Sequence, residues 1–167
     1  MENPLERYLN DHLAGAGGAV TLIGDLAGRQ KADDERRFYL ELKEKISADQ
    51  QFLKDLIQRA GMEETVMARL AGGITSRAGK LKLMWEGLEP GKLGNFEALE
   101  MLALGIQGKK LLWTVLGEVA PLYPEWDGVD FAALRQEAKR QRDEVEQRRL
   151  NAGREALPDP QRPRSGS

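Results

Sequence analysis

The sequence contains no cysteine and only one histidine, at position 12. Without cysteine the chain has no disulfide, no thiolate metal site, no cysteine nucleophile and no thiol redox centre. With one imidazole it cannot supply the second histidine of a two-histidine metal triad. These absences exclude thiol chemistry and leave at most an unusual metal site.

The chain also lacks an excess of charge of either sign and a long apolar run. Its 25 Lys and Arg residues against 27 Asp and Glu give a formal net charge of -2, so no overall field attracts nucleic acid or an anionic membrane. No segment approaches the roughly 20 apolar residues of a membrane span, and the N-terminus lacks the apolar core of a signal peptide. We expect a cytoplasmic protein that binds no nucleic acid and does not span a membrane.

Apolar residues recur at helical spacing along most of the chain, and no segment alternates as a strand does. This pattern predicts an all-α protein with one domain over residues 1–156 and a disordered tail over 157–167. Four long helices are predicted, at about 4–29, 33–60, 96–119 and 129–156. Asp33 or Asp34 is expected to cap the second helix and Asp127 or Asp130 the fourth, while Gly61 ends the second.

The segment between the second and third helices, residues 62–95, is interrupted by glycines and prolines and predicts a crossover containing one or two short helices. Two hairpins joined by a connection of about 30 residues is the plan of bundles in which helices two and three run parallel. An exposed "LKLMW" at residues 81–85 would be a candidate homodimer patch or membrane-surface patch.

In length, helix order and long connection, residues 5–156 resemble the ferritin-like superfamily, and within it the bacterial members of unassigned function. The resemblance implies a four-helix bundle and a role in a bacterial stress response. The family's metal chemistry comes from Glu-x-x-His motifs on two of the helices. Here Leu9 stands three residues before His12, so no metal ligand is carried over and no cofactor is expected.

Helical geometry predicts a polar layer inside the bundle. His12 lies in the middle of the apolar stripe of the first helix, and an antiparallel hairpin places Asp49 of the second helix at the same level. This predicts a direct contact between His12 and Asp49. The third and fourth helices each add one polar residue to the interior, Lys110 and Arg142.

Three interpretations of this layer stay open. The first is a buried polar network that fixes the register of the helices, which we favour because a lone core histidine is usually a satisfied one. The second is a single-metal site that adds Glu41 or Glu100 to His12 and Asp49. The third is a small-ligand or anion pocket lined by the imidazole and the two cations of the layer.

Small residues follow the histidine in the segment "AGAGGA", residues 14–19. Each glycine inside a helix costs up to about 1 kcal/mol relative to alanine. Close packing against Gly105 and Gly108 of the third helix is the favoured explanation, and a cavity beside His12 is the alternative.

The function expected from these features is that of a non-enzymatic binding or structural protein. A metal-dependent oxidoreductase or metal-handling protein with a non-standard site is the first alternative. A small-ligand carrier with a closed cavity beside His12 is the second.

Overall fold

The computed structural model describes residues 3–64 and 91–161, and within these ranges the chain is helical and contains no strand. The all-α prediction is therefore confirmed. Two short 3-10 turns, Ala120–Leu122 and Pro124–Trp126, join the third helix to the fourth. The four long helices are α1 (Pro4–Arg29), α2 (Asp33–Arg59), α3 (Lys92–Val119) and α4 (Phe131–Ala156).

The ends of α1 and α4 are fixed by side-chain caps. Asn3 accepts a hydrogen bond from the Leu5 N–H at 3.0 Å, with Pro4 in the first turn, where its missing N–H costs nothing. Asp130 accepts a hydrogen bond from the Ala133 N–H at 2.9 Å. Of the two predicted caps of α4, the structure therefore selects Asp130.

The ends of α2 and α3 differ in part from the prediction. The N-cap of α2 is Ala32, without a side-chain hydrogen bond, so Asp33 is the first helical residue and not the cap. Its charge still lies in the first turn, where the helix dipole stabilises it. Gly61 follows α2 with a φ of 67°, as predicted. Helix α3 begins at Lys92 instead of Phe96, after Gly91 at a φ of 129°.

Helices α1 and α2 run antiparallel, and so do α3 and α4. In each pair, the residues in contact have rising numbers along one helix and falling numbers along the other. These positions are Gly17 beside Gln50 and Gly24 beside Lys43 for α1 and α2, and Glu100 with Arg149 and Gly117 beside Phe131 for α3 and α4.

Helices α2 and α3 run parallel across the bundle. Asp49 binds Lys109, and one turn further along both helices Phe52 packs against Trp113, with ring centroids 6.3 Å apart. Helix α2 therefore ends at the end of the bundle opposite to the start of α3, as a long connection requires. The predicted short helices and the segment at 81–85 fall among residues 65–90, which lie outside the described residues.

Among the described residues, the core consists of two clusters of buried residues. All four long helices contribute residues to each cluster. The first cluster lies towards the α1–α2 turn and contains, among others, Ile23, Leu26, Tyr39, Ile46, Leu102, Ile106 and Val145. The second lies at the other end and contains, among others, Leu9, Leu13, Leu53, Leu112, Trp113, Trp126 and Ala138. Trp126 ties its turn to α2 by donating from Nε1 to the Leu56 carbonyl at 2.9 Å.

The cap of α4 can be tested against a matched neighbour. We expect Asp130→Ala to lower the free energy of unfolding by about 1 kcal/mol, because the Ala133 N–H loses its acceptor. Asp127→Ala removes an equally exposed carboxylate that makes no such bond and should change stability by less than about 0.5 kcal/mol. Urea unfolding of both variants measures the difference. Equal losses would mean that Asp130 acts only through its charge.

An aromatic and ionic cluster surrounds Tyr39 in the first core cluster. The Arg148 guanidinium donates to both carboxylate oxygens of Glu35 at 3.0 Å and lies 3.3 Å from the centroid of the Phe38 ring. Burial, followed by the nearby charge of Glu35, raises the pKa of Tyr39 from 10.0 to about 12.

This shift predicts a loss of stability in alkali. Between pH 10 and about 12 the unfolded chain releases the Tyr39 proton while the folded chain retains it, so the free energy of unfolding falls across this range. Tyr39→Phe should make this fall shallower, because the group that titrates differently in the folded and unfolded chain is then absent. Urea unfolding of the wild type and the variant at a series of pH values measures the difference, and a Tyr39→Phe curve with the wild-type slope would contradict the assignment.

Candidate functional site

A polar layer separates the two core clusters at one level of the bundle. Asp49 on α2, Lys109 on α3 and Gln141 on α4 each stand between residues of the first and the second cluster. The Nζ of Lys109 donates to Oδ2 of Asp49 at 2.5 Å and also to Oε1 of Gln141. One ammonium group therefore joins three helices.

The layer continues from Gln141 towards the surface of the bundle. Gln141 is 1% exposed, and its Nε2 donates to Oε1 of Glu137 at 3.2 Å. Glu137 in turn pairs with Lys45 of α2 at 3.9 Å and with Arg140. These contacts complete a chain of polar groups from α2 through α3 and α4 back to α2.

Burial dominates the electrostatics of Lys109. The side chains of Lys109 and Asp49 are 13% and 18% exposed. Burial lowers the pKa of the Lys109 ammonium below its ordinary value, while the charge and hydrogen bond of Asp49 act in the opposite direction. Lys109 consequently releases its proton more readily than a surface lysine.

A cavity of about 260 Å³ lies beside this layer, between α1, α2 and α3. Its wall is mostly apolar, and among its polar members are His12, Asp49 and Lys109. Leu104 belongs to the wall although it is 62% exposed, so the cavity opens to the surface beside α3. The space is not fully closed, in contrast to the expectation for a ligand carrier.

Small residues create this cavity. Gly15, Ala16 and Ala19 of α1 face it together with Gly105 and Gly108 of α3. Apart from the helix's own backbone and the adjacent residues, no atom of residues 3–64 or 91–161 lies within 4 Å of the position that a Cβ would take at Gly15, Gly105 or Gly108. The prediction that these glycines permit close helix packing is therefore wrong for these three, and the alternative, a cavity beside His12, is observed.

The structure places two of the four predicted layer residues at the cavity. His12 is half-buried, and its ring packs edge-on against Tyr8 with centroids 4.7 Å apart. His12 and Asp49 line the same cavity, but the contact of Gly17 with Gln50 places Asp49 nearer to the level of Gly17 than to that of His12. A direct contact between the two side chains stays a prediction.

The prediction chose Lys110 and Arg142 for the layer, and in each case the residue one position earlier, Lys109 or Gln141, lies there instead. Lys110 is half-buried and does not line the cavity, and Arg142 pairs with Asp143 at 3.6 Å while its side chain is 38% exposed. Lys109 and Gln141 occupy the interior in their place.

The error on α3 has a geometric reason. The prediction used only Ile106 and Trp113 to define the apolar stripe. Lys109 and Lys110 both lie at helical spacing, three or four residues, from each of these two, so the spacing alone does not choose between them. The buried residues as a whole, Leu102, Leu112 and Leu116 included, centre the stripe within about 10° of Lys109 and roughly 95° from Lys110. A 3–4 repeat through Leu102, Ile106, Lys109, Trp113 and Leu116 is the signal that identifies Lys109 from sequence.

The structure does not assemble the predicted metal or anion sites. Glu100 is bound by Arg149 at 2.9 Å and Glu41 is exposed, and neither lines the cavity. Within residues 3–64 and 91–161 no three His, Asp or Glu side chains form a group able to hold a metal ion. The anion pocket fails because Lys110 and Arg142 lie elsewhere.

Trp113 forms the boundary between the second core cluster and the cavity. It is 1% exposed, and among the described residues its Nε1 has no hydrogen-bond acceptor. A buried donor without an acceptor costs about 1–3 kcal/mol, which a phenylalanine or leucine at this position would avoid. Trp113 also lines a wider surface groove beside Gly117 and Phe131.

No protein-family model, no curated protein and no solved structure matches this chain. Among the described residues no helix combines the length and the apolar character needed to cross a membrane.

The ion pair in the layer predicts a non-additive double substitution. Lys109→Met and Asp49→Leu should each lower the free energy of unfolding by about 2–3 kcal/mol, because each leaves one buried charge without its partner. The double variant should lose clearly less than the sum of the two, since no lone charge remains. Urea unfolding of the four proteins measures the coupling.

Lys110→Met is the matched control and should change stability by less than about 0.5 kcal/mol. Strict additivity of the two substitutions, or an equal effect at position 110, would show that the pair does not organise the layer.

Proposed function

We propose that this protein is a non-enzymatic binding protein that holds a small, mostly apolar molecule in the cavity between α1, α2 and α3. The observation that carries the proposal is the cavity itself, with its mostly apolar wall and a few polar groups, among them His12, Asp49 and Lys109. Pockets for small ligands commonly combine a hydrophobic wall with a few polar groups that fix the orientation of the ligand.

The volume bounds the size of the ligand. Benzene fits an engineered cavity of about 150 Å³, and drug-sized ligands occupy pockets of roughly 300–1,000 Å³. The cavity of about 260 Å³ lies between these values. A molecule with one or two rings, or an aliphatic molecule of similar size, fits it.

Several residues around the cavity lower the stability of the fold, and this supports a binding role over a purely structural one. Gly15, Gly105 and Gly108 each lower the helix propensity at their positions, although an alanine there would meet no side chain of the part of the protein that the structure describes. Trp113 keeps an indole N–H without an acceptor among the described residues. A core selected only for stability would fill this space.

A structural role of the polar layer is the second candidate function. The hydrogen bonds of Lys109 to two other helices favour it, because a buried polar group specifies one helix register over others. The two roles are compatible, since the layer positions the helices that bound the cavity.

The wider expectations from the sequence enter here as proposals. Ferritin-like kinship, a part in a bacterial stress response, a cytoplasmic location and a homodimer are supported by the chain plan and composition alone. The parallel course of α2 and α3 is compatible with the kinship. The metal-handling alternative gains no support from the side chains at the cavity.

Filling the cavity tests the binding role. Indole is a suitable probe because its two fused rings match the volume, and isothermal titration calorimetry measures its affinity. Gly15→Leu places a side chain into the cavity and should weaken indole binding by at least about 10-fold, as a steric loss of about 1.4 kcal/mol implies.

Gly28→Leu is the matched control, because Gly28 is also a glycine within α1 with open space around it but lies outside the cavity. It should bind indole as the wild type does. Failure of indole, p-cresol and cyclohexanol to bind at millimolar concentration, or equal binding by the two variants, would refute the role.

A further inference from the structure

The cavity brings an amine, a carboxylate and an apolar wall together. Lys109 and Asp49 both line it, and their Nζ and Oδ2 atoms are 2.5 Å apart. The layer on the far side, through Gln141, holds the amine in place by a second hydrogen bond. Lysines in such apolar surroundings are the ones that proteins use to form imines with carbonyl compounds.

We propose that Lys109 captures small apolar aldehydes in this cavity as a reversible imine. The inference rests on the proposed binding role and names the class of ligand. An apolar aldehyde matches the site in two ways: its apolar part packs against the wall of the cavity, and its carbonyl carbon reacts with the amine of Lys109.

The reaction balances without an oxidant or reductant. The Lys109 ammonium first releases one proton to water, which leaves a neutral amine beside the Asp49 carboxylate. This amine attacks the carbonyl carbon, so that a C–N bond forms and the π electrons move to the carbonyl oxygen. Asp49 Oδ2 takes a proton from the nitrogen and delivers it to that oxygen, giving a carbinolamine. The hydroxyl group then leaves as water with the remaining N–H proton, which Asp49 Oδ2 also transfers, so that the C–O bond breaks and the C=N bond of the imine forms.

The charges around Lys109 favour this assignment over capture of an anion. Asp49 on α2 neutralises the ammonium, and Glu137 on α4 lies next beyond Gln141. A negatively charged ligand would therefore have to displace the carboxylate of Asp49 from the ammonium. A neutral aldehyde does not compete with Asp49 in this way, and burial lowers the pKa of Lys109 towards the neutral amine that imine formation needs.

Reductive trapping tests the proposal on the unaltered protein. Benzaldehyde at limiting concentration with cyanoborohydride at neutral pH converts an imine into a stable benzylamine, which peptide mass mapping locates. We expect Lys109 to be labelled at least about 10-fold faster than Lys110, because the cavity holds benzaldehyde beside the Lys109 amine and not beside that of Lys110. Lys110 is the matched control, being the adjacent residue and half-buried outside the cavity.

Two variants and a competitor sharpen the result. Lys109→Met should lose the fast labelling and Lys110→Met should retain it. Benzyl alcohol, which has the same ring but no carbonyl group, should slow labelling of Lys109 by occupying the cavity. Labelling spread evenly over the lysines, or none at Lys109, overturns the proposal.

The outcome separates this inference from the proposed function. Binding of benzyl alcohol and indole without labelling of Lys109 overturns aldehyde capture and leaves the binding role intact. Absence of binding by all of these probes removes the binding role as well.

Discussion

The contact on which this structure depends most is made by the ammonium of Lys109 across the centre of the bundle. It reaches Asp49 on α2 and Gln141 on α4 from α3. A shift of α2 or α3 by one turn would therefore leave a buried charge alone, and a shift of α4 would remove the hydrogen bond between Lys109 and Gln141. The apolar clusters above and below it tolerate other registers far better, because hydrophobic contact is not directional. The polar layer therefore selects one arrangement among several that would bury similar area.

The fourth helix of the layer contributes space instead of a polar group. At the level where α2, α3 and α4 carry Asp49, Lys109 and Gln141, α1 carries Gly15 and Ala16 beside the cavity. The ion pair is consequently packed on one side and open on the other. The cavity does not disturb the register of the helices, because the hydrogen bonds of Lys109 hold three of them in place. Side chains that fill the space are therefore not needed to fix this register.

The sequence predicts the helices well and the interior only in part. Helix ends carry local signals, such as Pro4, Gly61 and Asp130, which act within one turn. The choice between Lys109 and Lys110 depends on the whole apolar set of α3, and that helix is apolar nearly all round, with Leu104 and Leu111 more than half exposed. A glycine in a helix can allow close packing of a neighbouring helix or leave a gap, depending on the distance between the helix axes. The spacing of apolar residues in the sequence does not give this distance.

The parallel course of α2 and α3 has a consequence for how the chain folds. Contacts within the α1–α2 and α3–α4 hairpins join residues that are near in sequence, so each hairpin closes a short loop. The contacts of Lys109 with Asp49 and of Trp113 with Phe52 join residues about 60 positions apart. Two hairpins that form early and dock late are the natural folding route. The ion pair then belongs to the docking step, where it rejects hairpins that meet in the wrong register.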